Sequence, residues 1–161
     1  VIKQWRLRAP FVFQGERIME DEVDLHQLIE AIGDAVVVSN VAGKITLWNR
    51  AAEEMFGYTA AEALGQNLDI ITPERFRARH WEGYHHSMET GTTKYSKQTL
   101  RVPAIHKDGH TLSIAFTVAM LHDEHHRVNG VVAVIRDETA RFLEEKELKK
   151  RLIELESKPG A

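Results

Sequence analysis

The sequence predicts an α+β fold: a five-stranded antiparallel sheet with its helices gathered on one face, plus a flanking helix at each end. Three observations carry that prediction. A run rich in β-branched residues, Ala35–Asn40 (AVVVSN), passes through the turn Val41-Ala42-Gly43-Lys44 into Ile45–Asn49 (ITLWN), the pattern of a hairpin. Further on, Thr111–Leu121 alternates, with Leu112, Ile114, Phe116, Val118 and Met120 on one face and Ser113, Ala115, Thr117 and Ala119 on the other. Between these two β regions the signals are helical. Two strands, several short helices and then three strands is the order of an antiparallel sheet with its helices on one side.

The elements follow in order. Residues 1–20 form an N-terminal arm; Trp5, Leu7, Phe11, Val12 and Phe13 keep no clean period, and Pro10 interrupts them. Either the arm packs on the domain or a partner, or it is an appended segment ahead of a native start at Met19. From Asp21 a flanking helix is expected, with Val23, Leu25, Leu28, Ile29 and Ile32 on one face and a stop at Gly33. After the hairpin, Arg50–Phe56 is a helix closed by Gly57. Thr59–Leu64 is another, closed by Gly65, with Thr59 and Glu62 spaced as a capping box. Pro73–Gly91 is the longest helical stretch, started by Pro73 and Glu74 and stopped by Gly91. On it Trp81, Tyr84 and Met88 make one apolar stripe, with His80 beside it.

Thr93–Ile105 is then a long strand, broken at its end by Pro103, and His106-Lys107-Asp108-Gly109-His110 is a hairpin turn around Asp-Gly. A polar loop, Asp123–Gly130, leads to the last strand, Val131–Arg136. The chain closes with a charged helix over residues 138–161, frayed from Lys158 on. Leu148, Leu152 and Leu155 fall at spacings of four and three, which suits a short coiled-coil seam, although Arg141 and Glu145 interrupt its upstream register. The other use of this helix is as a solvated one that packs Phe142 and Leu143 back on the sheet.

Composition narrows the function. With 161 residues, 43% hydrophobic and 28% charged, the chain can bury one core and is not a disordered sequence. A formal charge of −3 argues against a nucleic-acid surface, and no apolar run approaches the roughly 18 residues of a membrane span. No signal peptide is visible, so a cytoplasmic location is expected. No cysteine is present, which excludes disulfides, thiol nucleophiles and zinc-thiolate sites. There is no Gly-rich phosphate loop, no Gly-x-Ser-x-Gly and no kinase core, so no catalytic role is expected. His122, His125 and His126 share one loop and His85 and His86 are adjacent, but no carboxylate spacing matches a metal motif and these read as solvated residues.

Two segments carry a family resemblance: DAVVVSNVAGKITLWNRAAEEMFGYTAAEALGQN, from Asp34, and Arg136-Asp137-Glu138-Thr139 at the passage into the last helix. With the helix and HKDGHTLSIAFTVAML between them, residues 34–137 resemble a PAS domain along their whole length. The resemblance implies the PAS fold and a sensory, signal-transducing or dimerising role. It also implies a ligand pocket between the central helix and the last strands. It further implies a homodimer formed through the N-terminal and C-terminal helices, with an output domain or partner signalling protein downstream.

The stretch Pro73-Glu-Arg-Phe-Arg-Ala-Arg-His80 is similar to the central helix of haem-PAS oxygen sensors. That likeness implies haem as cofactor, His80 as the axial ligand to its iron, and sensing of a gas or of redox state. Trp81 and Tyr84 would line the helix side. His86 and Lys94 fall near the haem propionates, and Phe116 and Val118 on the distal wall. Two positions depart from that subgroup. Leu100 stands where its distal arginine would be, with Gln98 before it as a possible amide donor, and Trp81 is bulkier than its counterpart. Flavin is a lesser expectation, since the photoreceptor type needs a central-helix cysteine; a redox flavin escapes that argument. The alternative is a cofactor-free or small-metabolite-binding PAS module acting in dimerisation and protein interaction. His80 would then be a packing residue bonded to a backbone carbonyl.

Overall fold

The computed structural model describes residues 23–157, so the expected arm at residues 1–20 and the frayed end lie outside the described residues. Helix α1 (Leu25–Ala31) begins at Asp24, whose side chain accepts from the N–H groups of His26 and Gln27. It is shorter than expected. Ile32 is already extended, so the helix stops before Gly33, and of its apolar positions only Leu25 and Ile29 are half-buried.

Strands β1 (Ala35–Asn40) and β2 (Ile45–Trp48) form the hairpin. Helix α2 (Arg50–Phe56) is capped by Asn49 and ends on Gly57 at φ 80°; helix α3 (Ala60–Ala63) carries the full Thr59–Glu62 capping box. Asn49, fully buried, is the joint of this region. Its Oδ1 accepts from Val36 N–H (2.9 Å) and Ala52 N–H (3.0 Å), while Nδ2 donates to the carbonyls of Ile29 (3.0 Å) and Asp34 (3.1 Å). After a 3-10 turn at Leu68–Ile70 comes the central helix α4 (Glu74–Thr90), and the chain returns through β3 (Leu100–Ile105), β4 (Thr111–His122) and β5 (Val128–Asp137) into α5 (Thr139–Glu156).

All pairings are antiparallel in the order β2-β1-β5-β4-β3. The chain therefore makes the expected five-stranded sheet, and the main differences from expectation lie in β3 and β5. Residues 93–99 are not strand: Lys94–Ser96 is a 3-10 turn in which the Thr93 hydroxyl accepts from Tyr95 N–H, and β3 starts only at Leu100. Pro103 does not break β3, which pairs on to Ile105, because β3 is an edge strand where a missing N–H costs no ladder bond. β5 begins three residues early, at Val128, because β4 continues to pair there.

The core lies between the sheet and the helices. Phe56 and Ile45 are its most enclosed large apolar side chains, and the buried Trp48 donates from Nε1 to the Tyr58 carbonyl (3.0 Å). Helix α5 does not fold back on the sheet: Phe142 and Leu143 are 53% and 56% exposed. Its start is anchored instead, since Glu138 N–H donates to the Ser113 carbonyl and the Thr139 hydroxyl accepts from Ser113 N–H. Among the described residues no helix is long and apolar enough to cross a membrane.

Candidate functional site

Helix α4 is built as a plank that meets the sheet along one edge. Pro73 stands at its N-cap, one position earlier than the first turn, and Gly91 closes it at φ 67°. Its first half is tied to the turn before it: Arg77 donates from Nε to the Thr72 carbonyl and from Nη2 to the Asp69 carbonyl, and Trp81 Nε1 donates to Asp69 Oδ1 (2.8 Å). Its second half is tied to the sheet. The Tyr84 hydroxyl bonds the Ser39 hydroxyl (2.9 Å) and donates to the Asn40 carbonyl, both on β1. Trp81 lies flush on the hairpin turn. A Cβ on Gly43, at φ 74°, would come within 2.2 Å of its ring.

His80, Trp81 and Tyr84 thus come together, with ring centroids 5.0 Å (His80–Trp81), 6.0 Å (His80–Tyr84) and 5.3 Å (Trp81–Tyr84) apart. His80 Nδ1 is buried and has no hydrogen-bond partner. Burial pushes the imidazole's pKa down, opposed by the charge of Asp69, so the ring is neutral near pH 7. The backbone bond that would mark a packing histidine is not made at Nδ1.

The facing surface follows from the register. Leu100 pairs with Phe116, Phe116 with Ile135, and Ile135 with Ala35, giving one row across the sheet. Val118, Ala133 and Val37 make the next row; Met120, Val131 and Ser39 make the third. Paired residues share a face, so Leu100, Phe116 and Val118 lie on the same side as Ser39, the side to which Tyr84 fastens α4. The remaining expected residues are at the surface. His86 is exposed on α4, Lys94 is exposed with its ammonium 5.2 Å over the Tyr95 ring, and Gln98 is exposed in the bend before β3. Gln98 is not on the strand and does not share a strand face with Leu100.

Sequence reasoning missed Ser39 and Asp69, the two anchors of α4. Ser39 had a signal: it is the one polar residue at an inward position of β1, between Val37 and the turn. Asp69 had none, because its role depends on where the 3-10 turn places it.

With this geometry in place, comparison with known proteins gives the family. The PAS fold pattern matches residues 24–137. The sensor protein FixL of Bradyrhizobium diazoefficiens is 42% identical over 59 residues, 37% of this chain and 12% of that protein. The oxygen sensor protein DosP of Escherichia coli is 25% identical over 120 residues, 73% of this chain and 14% of its own length. Among solved structures, a PAS domain from Colwellia psychrerythraea superposes with a TM-score of 0.63 at 24% identity, covering 71% of this chain and 93% of that one. The chain belongs to the PAS family of sensory domains. It spans 12% and 14% of the length of FixL and DosP.

Proposed function

We propose that this PAS domain senses through a haem held against α4 with His80 as its protein ligand. The observation that carries the reading is the His80 ring: half-buried, neutral, with a buried Nδ1 that no other group uses. A neutral imidazole beside an apolar wall suits haem iron. When bound, such a group supplies a centre that answers to redox state and to small gaseous ligands. The chain's own residues do the rest. Leu100, Phe116 and Val118 form the apolar wall that keeps water out. Leu100 is followed by outward-facing Arg101, whose Nε donates to Glu138 Oε2 at 2.9 Å, and Glu138 is the N-cap of α5. A displacement of β3 felt at Leu100 therefore reaches the base of α5 through one ion pair.

The signal then leaves along α5 to an output domain or partner. Leu148, Leu152 and Leu155 are each more than half exposed on α5, and Val23 and Leu28 are exposed at α1. A homodimer joined through these two helices gives them cover. One observation favours the other use of the fold, a cofactor-free interaction module: Tyr84 is bonded straight to β1, so α4 is held without any ligand.

An absorption spectrum of the protein, as purified and after adding haem, beside His80→Ala, separates the two. A sharp Soret band that shifts on reduction and with carbon monoxide, and is lost in His80→Ala, supports the haem sensor. No band, or the same weak band in both proteins, removes it and leaves the interaction module.

A further inference from the structure

The β3–β4 hairpin holds a side-chain cluster that the α4 site does not use. His106 and His110 flank the turn, with His106 N–H donating to the His110 carbonyl and Gly109 N–H to the His106 carbonyl. Residues that flank a tight hairpin turn are cross-strand neighbours, so side chains four apart in sequence come face to face. Their rings stack with centroids 4.4 Å apart and planes 24° apart. Asp108 places its carboxylate beside both: Oδ1 is 3.0 Å from His106 Nδ1 and 2.5 Å from His110 Nδ1. One ligand atom from each of the three lies within 4.8 Å of the other two, the one such group among the described residues.

Two features make this more than a crowded turn. The first is that the His106 ring is fixed. A Cβ on Gly57 would lie 2.5 Å from its Cε1 and Nε2, so that edge sits on the end of α2 and Nδ1 is the nitrogen left for a ligand. Lys107 N–H, donating to the Phe56 carbonyl at 2.9 Å, pins the same turn. The second is convergence: both Nδ1 atoms turn to the same oxygen, Asp108 Oδ1, where each imidazole can donate its own proton in the metal-free chain and where a metal ion can take the place of both protons.

We propose that His106, Asp108 and His110 bind a divalent transition-metal ion of the zinc, nickel or copper class, through two Nδ1 atoms and one carboxylate oxygen, with water completing the shell. Mixed imidazole and carboxylate donors suit those ions and not magnesium, which prefers all-oxygen sites. The bound ion would stiffen the turn itself and hold the His106 ring in its seat against the end of α2.

Calorimetric titration of the tag-free chain with zinc chloride tests this, beside His110→Ala, Asp108→Asn and a His125→Ala/His126→Ala control. Wild type and control should take one equivalent, either turn variant should bind about tenfold or more weakly, and Tm should rise with zinc in the wild type. Both substituted turn side chains are exposed (53% for His110, 62% for Asp108), so folding should survive, and circular dichroism checks it. Should a variant unfold, the wild-type amide shifts decide, and zinc-induced movement centred on residues 106–110 supports the site. Equal zinc affinity in the turn variants, loss of binding in the loop control, or shifts centred elsewhere would overturn it.

Discussion

Removing the Tyr84 hydroxyl tests how α4 is held. In Tyr84→Phe the ring, which is 8% exposed, keeps its packing, while the Ser39 hydroxyl, 1% exposed, loses its partner. The Asn40 carbonyl still accepts from Gly43 N–H, so one orphaned group is the main penalty. A lost hydrogen bond is worth about 1 kcal/mol and a buried unsatisfied hydroxyl about 1–2 more, which gives a destabilisation of about 2–3 kcal/mol. Ser39→Ala alone should cost about 1 kcal/mol, because Tyr84 keeps its bond to the Asn40 carbonyl. The double variant should cost less than the sum of the two, because nothing polar is then left stranded. Urea unfolding followed by circular dichroism measures all three. A Tyr84→Phe protein within about 0.5 kcal/mol of wild type, or strict additivity in the double variant, would refute the claim that this bond fastens the helix.

Asn49→Ala should be more damaging, by about 3 kcal/mol, because it strips a cap from α2 and strands backbone groups of β1 and of the α1–β1 passage; urea midpoints test it. Gly43→Ala should cost about 1–3 kcal/mol and alter tryptophan emission, since it combines a left-handed φ with a collision at Trp81. The hydrogen bond from Arg136 holds the Asp34 carboxyl below its usual pKa, with burial opposing and the Arg136 charge assisting. That contribution is therefore present above about pH 4 and lost as pH falls through the lowered value, so Asp34→Asn should flatten the acid limb of a stability–pH curve. Leu148→Glu/Leu152→Glu should sediment as a monomer with an unchanged domain Tm; a wild type that is itself monomeric refutes the helical seam.

What was legible in the sequence was what local chemistry decides. The Thr59–Glu62 box, the left-handed Gly57 and Gly91, and the alternation of Thr111–Leu121 each encode their geometry within a few residues. What was not legible depends on partners distant in the chain. β5 reaches back to Val128 because β4 is there to pair, not because Val128-Asn129-Gly130 favours a strand. Lys94–Ser96 turns because the Thr93 hydroxyl offers a cap, and with it Gln98 leaves the sheet. Within the site, the sequence placed His80, Trp81 and Tyr84 on one helix and Leu100, Phe116 and Val118 on facing strands. It could not say that Tyr84 would close on Ser39. His106, Asp108 and His110 look in the sequence like no more than a turn, yet i, i+2, i+4 spacing across a hairpin is itself a proximity signal.

The paired Asp34 and Arg136 have a mechanical consequence. Asp34 sits between α1 and β1, Arg136 just before α5, and they meet through two bonds of 3.0 and 2.7 Å beside the neighbouring pair Ala35 and Ile135. The chain thus enters and leaves the sheet through a single gateway. A unit mounted in that way hangs beside the main path of the polypeptide and is not a link within it, so tension along the flanking helices can bypass its interior. What such a unit can pass on is a change of angle at the hinge, felt by both helices together, and not a change of length.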